Sequence, residues 1–94
     1  MDRAQDFAYR LIGIRVRPET GMPDGGGVAI SFVNPDKYLG RIGLRRGDII
    51  RKIDDVAIRS VSDFETTIVQ YRDKTSLLLL IQRGDQLYNI TVKL

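Results

Sequence analysis

Hydrophobic positions in the first part of the chain change from a helical to a strand spacing. Apolar residues recur at the interval of one helix face over residues 2–10, which predicts a short, marginal helix there. Next, Ile12, Ile14 and Val16 alternate with glycine and arginine. That alternation predicts a strand with one buried face, which Pro18 ends.

A turn-rich stretch separates this strand from the next one. Residues 18–27 contain two prolines and four glycines, which predicts a surface loop. The apolar run over 27–33 predicts a second strand, mostly apolar on both faces. Asn34, followed by proline, then predicts a short helix over 35–42, because asparagine caps free amides and proline is tolerated at the first helical position.

The second half of the chain alternates between short strands and one well-marked helix. Strands are predicted over 49–53 and 56–58, over 77–81 as a fully covered central strand, and over 87–94 with alternating polarity. The helix is predicted over about 63–72.

The start of that helix is predicted from a capping box. Ser62 is followed three residues later by Glu65, so the hydroxyl and the carboxylate can each accept from an amide at the helix start. Phe64, Ile68 and Tyr71 follow at the spacing of one buried face. Together with the strands, these helices predict a small α+β domain of five to six strands and two to three helices.

Composition excludes several classes of catalytic site. The 94 residues are enough for one ordinary domain, and they include no histidine and no cysteine. Serine–histidine and cysteine–histidine catalysis, disulfides and the commonest zinc ligands are therefore absent. Asp54 and Asp55 point apart on a turn, and we interpret them as solvated; Asp48 is interpreted as a partner of turn amides. We expect the domain to be non-catalytic, without a cofactor or metal.

Charge alone does not make the chain a nucleic-acid-binding protein. Fifteen basic and twelve acidic residues give a net charge of +3. The cations are dispersed, and their densest stretch, residues 41–52, has no interleaved aromatic residue for base stacking. We interpret this stretch as a solvated face and expect neither a nucleic-acid partner nor membrane insertion, since the longest apolar run is far too short to span a bilayer.

A candidate binding site lies where the first helix gives way to the first strand. Gly13 stands there between Ile12 and Ile14, so successive amides could converge on an anion such as a peptide carboxylate. If the strand has a free edge, an extended ligand could pair with it. The alternative is that the isoleucines are ordinary core residues and the glycine only eases a turn.

The middle of the chain resembles a known family. The run GVAISFVNPDKYLGRIGLRRGDIIRKIDDVAI is similar to the bacterial PDZ pattern G-V-x-V, P-x-S-P-A-x-x-A-G-L-x-x-G-D-x-I and I-N-G-x-x-V. The closing stretch LLLLIQRGDQLYNITVKL resembles the last hairpin of the second PDZ domain in Do-type (HtrA) serine proteases. The resemblance covers residues 11–94, with residues 1–10 as a helical lead-in. It implies a partly open, PDZ-like β-barrel or sandwich with the permuted strand order of bacterial members.

The same resemblance implies a peptide-binding groove. Leu11, Ile12, Gly13 and Ile14 correspond to the family's carboxylate-binding loop, often Tyr-Ile-Gly-Ile, so the amides of the last three would hold a C-terminal carboxylate. The groove would be lined by a second set of residues, namely Ile12, Ile14, Val16, Val61, Glu65 and Ile68. Glu65 has the capping box as its alternative role, and Arg10 would add charge near the carboxylate.

Three functions remain open from the sequence. The first is peptide recognition for a periplasmic serine endopeptidase, with unfolded or partner C-termini as ligands. The second is a PDZ domain used for contacts with other domains or subunits, its groove closed or occupied, or the PDZ module of another protease or of a secretion protein. The third is an unrelated basic domain that binds nucleic acid.

Overall fold

A computed structural model describes residues 3–21 and 26–94, and part of the predicted loop, residues 22–25, lies outside them. The helices are α1 (Arg3–Ile12), α2 (Tyr38–Arg41) and α3 (Val61–Gln70). The strands are β1 (Ile14–Pro18), β2 (Val28–Val33), β3 (Ile49–Ile53), β4 (Val56–Ala57), β5 (Ser76–Arg83) and β6 (Gln86–Lys93).

All six strands belong to one antiparallel sheet. Its order is β1-β2-β3-β5-β6, and β4 pairs with β3 outside that path. The predicted α+β class and element count are therefore confirmed. β1 and β6 stand at the two ends of the order and are its edge strands. The two-residue β4, which pairs with β3 alone among the described strands, is a further short edge.

The hydrophobic core joins one face of the sheet to the helices. Phe64 and Ile68 of α3 are fully buried, together with Ile14 of β1, Ile50 of β3 and Leu79 of β5. They belong to one continuous cluster. Burial of each such side chain stabilises the fold by about 1.5–3 kcal/mol, so the core fixes how α3 faces the sheet.

The other face of the sheet is less covered than the sequence predicts. Leu77, Leu79 and Ile81 of β5 are buried, but Leu78 between them is 42% exposed. The prediction of a fully covered strand is therefore wrong. A central position in the strand order does not cover both faces, because the helices pack on only one of them.

The start of α3 lies two residues earlier than predicted. Ser60, not Ser62, is the N-cap, and its hydroxyl accepts from the Asp63 amide at 3.0 Å. The Asp63 carboxylate reaches back to the Arg59 amide at 3.0 Å. The predicted Ser62–Glu65 capping box is therefore wrong, because an equivalent pair two residues upstream starts the helix.

The segment between β2 and β3 is more turn than helix. The Asn34 side chain accepts from the Asp36 amide at 2.9 Å, and the helix itself covers only Tyr38–Arg41 rather than 35–42. Gly40 packs so closely on Asn34 that an added Cβ would overlap its carbonyl oxygen. Gly43 leaves α2 at φ 101°, in the left-handed region that favours glycine.

Helix α1 extends further than the predicted lead-in. It runs through Ile12, so that residue belongs to the last helical turn and not to the first strand. Ala8 is fully buried, and α1 packs on both α3 and β1. Among the residues that the structure describes, every helix is too short or too polar to traverse a lipid bilayer.

Candidate functional site

A bend at Gly13 joins α1 to β1. Gly13 has φ 79°, a conformation that favours glycine, and its carbonyl accepts from the Asn34 amide at 2.8 Å. Its own amide donates to the Tyr9 carbonyl at 2.8 Å. Of the three amides expected to hold a carboxylate, Ile12 thus lies in α1, Gly13 closes the helix, and Ile14 begins β1.

The backbone N–H and C=O groups of β1 point alternately towards β2 and away from it. Asn34 and Gly13 form a hydrogen-bonded pair of the antiparallel ladder. The neighbouring pair, Ile14 and Val33, is therefore a non-hydrogen-bonded pair. The main-chain groups of Ile14 therefore point away from β2. A register shift between Arg15 and Val16 interrupts the ladder one residue later. Such a bulge at an edge strand re-aims the side chains that follow it.

Helix α3 lies across the core from β1. Ile14, Val16 and Ile68 are 0%, 6% and 0% exposed and belong to one cluster. Val61 is partly buried against the same cluster, and Glu65 is half-buried. The structure thus brings the predicted groove residues of both elements together, with their apolar side chains packed.

The predicted carboxylate-loop residues also contact the core. Ile12 is 3% exposed, and Leu11 is partly buried against the cluster. The amphipathic face of α1 provides this packing, because Phe7 and Ala8 precede them at helical spacing. The bend is therefore held from the α1 side by apolar contacts as well as by the Gly13–Tyr9 hydrogen bond.

Lys37 lies at the bend, which sequence reasoning missed. Its side chain packs on Gly13, where an added Cβ would lie 2.6 Å from the Lys37 Cγ. Its ammonium donates to the Arg10 carbonyl at 3.3 Å, at the carboxyl end of α1. The signal was available, because Lys37 stands where the family pattern P-x-S-P-A has serine. The predicted contributor, Arg10, has an exposed side chain and meets Lys37 through its main chain.

A polar cluster on the outer side joins α1 to β1. Arg15 pairs with Asp6 at 3.1 Å and lies 4.6 Å from the centre of the Tyr9 ring. Tyr9 in turn lies 5.9 Å from the Phe32 ring. These contacts fix α1 beside the edge strand, although the ion pair is exposed and contributes little alone.

Asp48 has the turn role expected of it and a second partner. Its carboxylate accepts from the Arg45 amide at 3.0 Å and from the Nε and Nη2 of Arg83 at 2.8 and 2.7 Å. Burial alone raises the pKa of Asp48, but the bonds from Arg83 and Arg45 outweigh it and lower the pKa below the usual 3.8. Arg83 also donates to the Gly43 carbonyl at 2.9 Å. The Asp48 carboxylate therefore joins the turn before β3 to the end of β5.

Asp54 is not simply solvated, which corrects the sequence interpretation. Its carboxylate pairs with Lys74 and accepts from the Leu78 amide at 2.8 Å, and these bonds lower its pKa. Asp55 is exposed. Asp54 therefore joins the β3–β4 turn to the start of β5.

The chain matches the family model described as "PDZ domain" over residues 11–94. Among curated relatives, the magnetosome formation protease MamE of Paramagnetospirillum magneticum is 32% identical over 78 residues, covering 83% of this chain. A probable periplasmic serine endoprotease DegP-like of Brucella suis is 28% identical over 87 residues, covering 90% of the chain. The chain spans only 11% and 16% of these two proteins.

Solved structures agree with this match. The HtrA3 PDZ domain bound to a phage-derived ligand, FGRWV, has a TM-score of 0.70 and 26% identity, covering 87% of this chain and 81% of that one. The HtrA-type protease AlgW variant S227A with a decapeptide has a TM-score of 0.75 at 19% identity, covering 97% and 32%, and shows the fold alone. The resemblance to HtrA-type PDZ domains is thereby confirmed: the chain belongs to the PDZ domain family, whose members are non-catalytic protein-interaction modules.

Proposed function

We propose that this domain binds extended hydrophobic peptides, above all C-terminal ones, by adding them as a strand to β1. The observation that supports this most directly is the position of β1. It ends the sheet order, the main chain of Ile14 points away from β2, and α3 lies across the core from it. A ligand strand would pair with Ile14. For its last side chain to enter between Ile14 and Ile68, these two buried side chains must move apart on binding.

The terminal carboxylate of the ligand would lie at the Gly13 bend. The amides of Ile12, Gly13 and Ile14 are the donors that the family resemblance implies, and Lys37 adds a positive charge beside them. Because the Gly13 amide donates to Tyr9 in this structure, the ligand must replace that carbonyl as acceptor. Val16, Val61 and Glu65 would flank the upstream ligand residues.

The larger role is substrate recognition. We propose that the domain serves a Do-type serine endopeptidase in the periplasm, as its second PDZ domain, and that it binds C-termini of unfolded or partner proteins. The support is the similarity to DegP-like relatives that are named periplasmic serine endoproteases. The peptide-bound HtrA3 PDZ domain supports the ligand class.

A peptide titration tests the binding proposal. Hydrophobic peptides with a free C-terminal carboxylate should bind near the micromolar range, because strand addition must first order the ligand. The same peptides with a C-terminal amide should bind at least about tenfold more weakly, since a charge-assisted bond is lost. Calorimetry measures both, and backbone NMR shifts should concentrate at residues 12–16. Absence of binding by both forms would contradict the proposal.

A second candidate function is subunit assembly. The observation that favours it is the Gly13–Tyr9 hydrogen bond, which leaves the bend engaged by the chain itself. In that case, neither peptide form binds, and sedimentation velocity shows concentration-dependent association of the chain. Peptide binding by a monomer rejects this candidate.

A further inference from the structure

The opposite sheet edge, β6, carries a second set of outward-facing backbone groups. Arg83 and Gln86 close the β5–β6 hairpin, and the pairing continues through eight residue pairs without a register shift. In an antiparallel ladder, hydrogen-bonded residue pairs alternate with non-hydrogen-bonded pairs. The hydrogen bond from the Leu94 amide to the Thr75 carbonyl shows that this pair is hydrogen-bonded, so every second pair counted from it is too. The N–H and C=O groups of Leu87, Asn89, Thr91 and Lys93 therefore point away from β5.

This edge lacks the usual protection against strand addition. Edge strands are commonly blocked by proline, bulges or several charges. Over its eight residues β6 has no proline and no register shift, and Lys93 is its only charged residue. Leu87 is 60% exposed and Tyr88 39%. The described strand is thus long, regular and partly apolar at its surface.

Two cavities flank the first half of β6, one on each face. The first, which we name the β6 cleft, has a volume of about 680 Å³ and is lined by Ile42, Leu44, Arg45, Ile81, Tyr88 and Ile90, among others. The second, which we name the outer pocket, has a volume of about 330 Å³ and includes Lys52, Arg59, Leu80 and Leu87.

Cations line both cavities, but they are differently engaged. Aliphatic and aromatic side chains form most of the β6 cleft, and of its two cations, Arg45 and Arg83, the second is held by Asp48. Lys52 and Arg59 line the outer pocket. Among the described residues that line either cavity, none is acidic. Alternate side chains of an added strand point to opposite faces, so one set would enter the cleft and the other would meet these cations.

We propose that β6 is a second strand-addition site, and that its occupant is an extended segment in which apolar residues alternate with acidic ones. The apolar side chains fill the β6 cleft, while the carboxylates lie at the outer pocket near Lys52 and Arg59. No free carboxyl terminus is needed, so internal segments of an unfolded or disordered acidic protein fit this edge. The proposal does not depend on the function proposed for β1.

The probe is a short peptide, acetylated and amidated, that alternates leucine with glutamate. Binding should protect the amides of Leu87, Asn89 and Thr91 from hydrogen exchange and leave those of Tyr88 and Ile90 as they are, because the latter already pair with β5. The matched control peptide has lysine in place of glutamate. It should bind at least about fivefold more weakly, since exposed charge pairs differ by up to about 1 kcal/mol each.

Two variants separate strand addition from nonspecific attraction. Thr91→Pro removes one outward-facing donor, a change that an edge strand tolerates, and should weaken binding by about fivefold to tenfold. Lys52→Glu should weaken binding by a similar factor without touching β6. Arg72→Glu, the same charge change in the turn after α3, should leave binding unchanged. Urea unfolding checks that each variant is folded.

Three results would overturn the proposal. The first is absence of binding by the leucine–glutamate peptide at about 1 mM, which is weaker than strand-addition sites normally bind. The second is equal binding of the lysine peptide. The third is protection of the same alternate amides without peptide in a self-associating sample, which would make the occupant a second copy of the chain.

Discussion

At the scale of single residues, Gly13 and Lys37 together determine the shape and charge of the β1 bend. The glycine provides φ 79° and the space that the Lys37 stem occupies, and the ammonium of Lys37 lies at the end of α1. A cation in this position is favourable even without a ligand, because the carboxyl end of a helix is partly negative. The same charge is available to a ligand carboxylate.

Lys37→Gln should lower the affinity for free-carboxylate peptides by about fivefold, because a charge-assisted contact is worth somewhat over 1 kcal/mol. The affinity for the amidated peptides should stay the same, which separates a ligand contact from a structural role. Calorimetry at two salt concentrations measures both. Lys93→Gln is the matched control on β6. An equal loss for acid and amide peptides would show that Lys37 only caps α1.

Asp48 illustrates a residue whose charge is used for folding. Its pKa is lowered in the folded protein, so the unfolded chain binds the proton more readily near pH 3.8. The stability that this carboxylate contributes is complete well above that pH and is lost as the pH falls through 3.8 and below. Asp54 has a pKa shift in the same direction and adds to the loss.

Asp48→Asn should reduce the free energy of unfolding at pH 7 by about 2 kcal/mol, because Arg83 and the Arg45 amide lose a charged acceptor. The variant should also lose less stability than wild type between pH 7 and pH 3. Urea unfolding followed by circular dichroism at both pH values measures this. The exposed Asp73→Asn should behave like wild type, and an identical pH dependence of Asp48→Asn would contradict the assignment.

At the scale of elements, the start of α3 shows where sequence reasoning reaches its limit. Two serines lie two residues apart, and each is followed three residues later by an acidic residue, so local chemistry alone fits two helix starts. Tertiary packing selects the first one. A helix that begins at Val61 buries Phe64, Thr67 and Ile68 together against the sheet.

Ser60→Ala should destabilise the protein by about 1 kcal/mol, the usual cost of removing an N-cap hydroxyl. Ser62→Ala should change stability by only a few tenths of a kcal/mol, since that serine lies on the exposed side of the first turn. Thermal and urea unfolding of the two variants compare them directly. A larger loss for Ser62→Ala would favour the capping box predicted from the sequence.

Strands with clear patterns were the most predictable elements. The isoleucine-rich β3 has the predicted bounds, Ile49–Ile53, because a short apolar run between turn signals has few alternatives. The packing of β1 against α3 was also predictable, because the apolar side chains of both elements must be buried in one core. The engaged amide of Gly13 and the contact of Lys37 with Arg10 were not. These depend on how α1 and α2 are placed relative to each other, which no local periodicity encodes.

At the scale of the whole molecule, α1 belongs to the same core as the rest of the described domain. The family model begins at residue 11, yet Ala8 is fully buried and Phe7 packs against the central cluster. Helix α1 contacts both walls of the proposed groove, α3 and β1. The predicted division between a lead-in over residues 1–10 and a domain over 11–94 therefore stays a prediction. A truncation tests whether the domain folds without the lead-in.

Removal of residues 1–9 should reduce the free energy of unfolding by about 3 kcal/mol or more. The reason is that the truncation removes Phe7 and Ala8 and exposes the apolar surface they cover. Urea unfolding measures the loss. The single substitution Asp6→Asn keeps the helix and the Arg15–Tyr9 contact and removes the exposed ion pair, so it should cost less than about 1 kcal/mol. Unchanged stability after truncation would make α1 a dispensable lead-in.

The hydrogen bonds of the Arg83 guanidinium also determine how rigid the β6 cleft is. Arg83 extends from β5 and holds both Asp48 and the Gly43 carbonyl, while Gly43, Leu44 and Arg45 form the facing rim. The two sides of the cleft are therefore joined by these polar contacts as well as by the core packing of Leu44 and Ile81. These contacts keep the width of the cleft constant before a peptide binds. Protonation of Asp48 at low pH would weaken them and let the cleft widen.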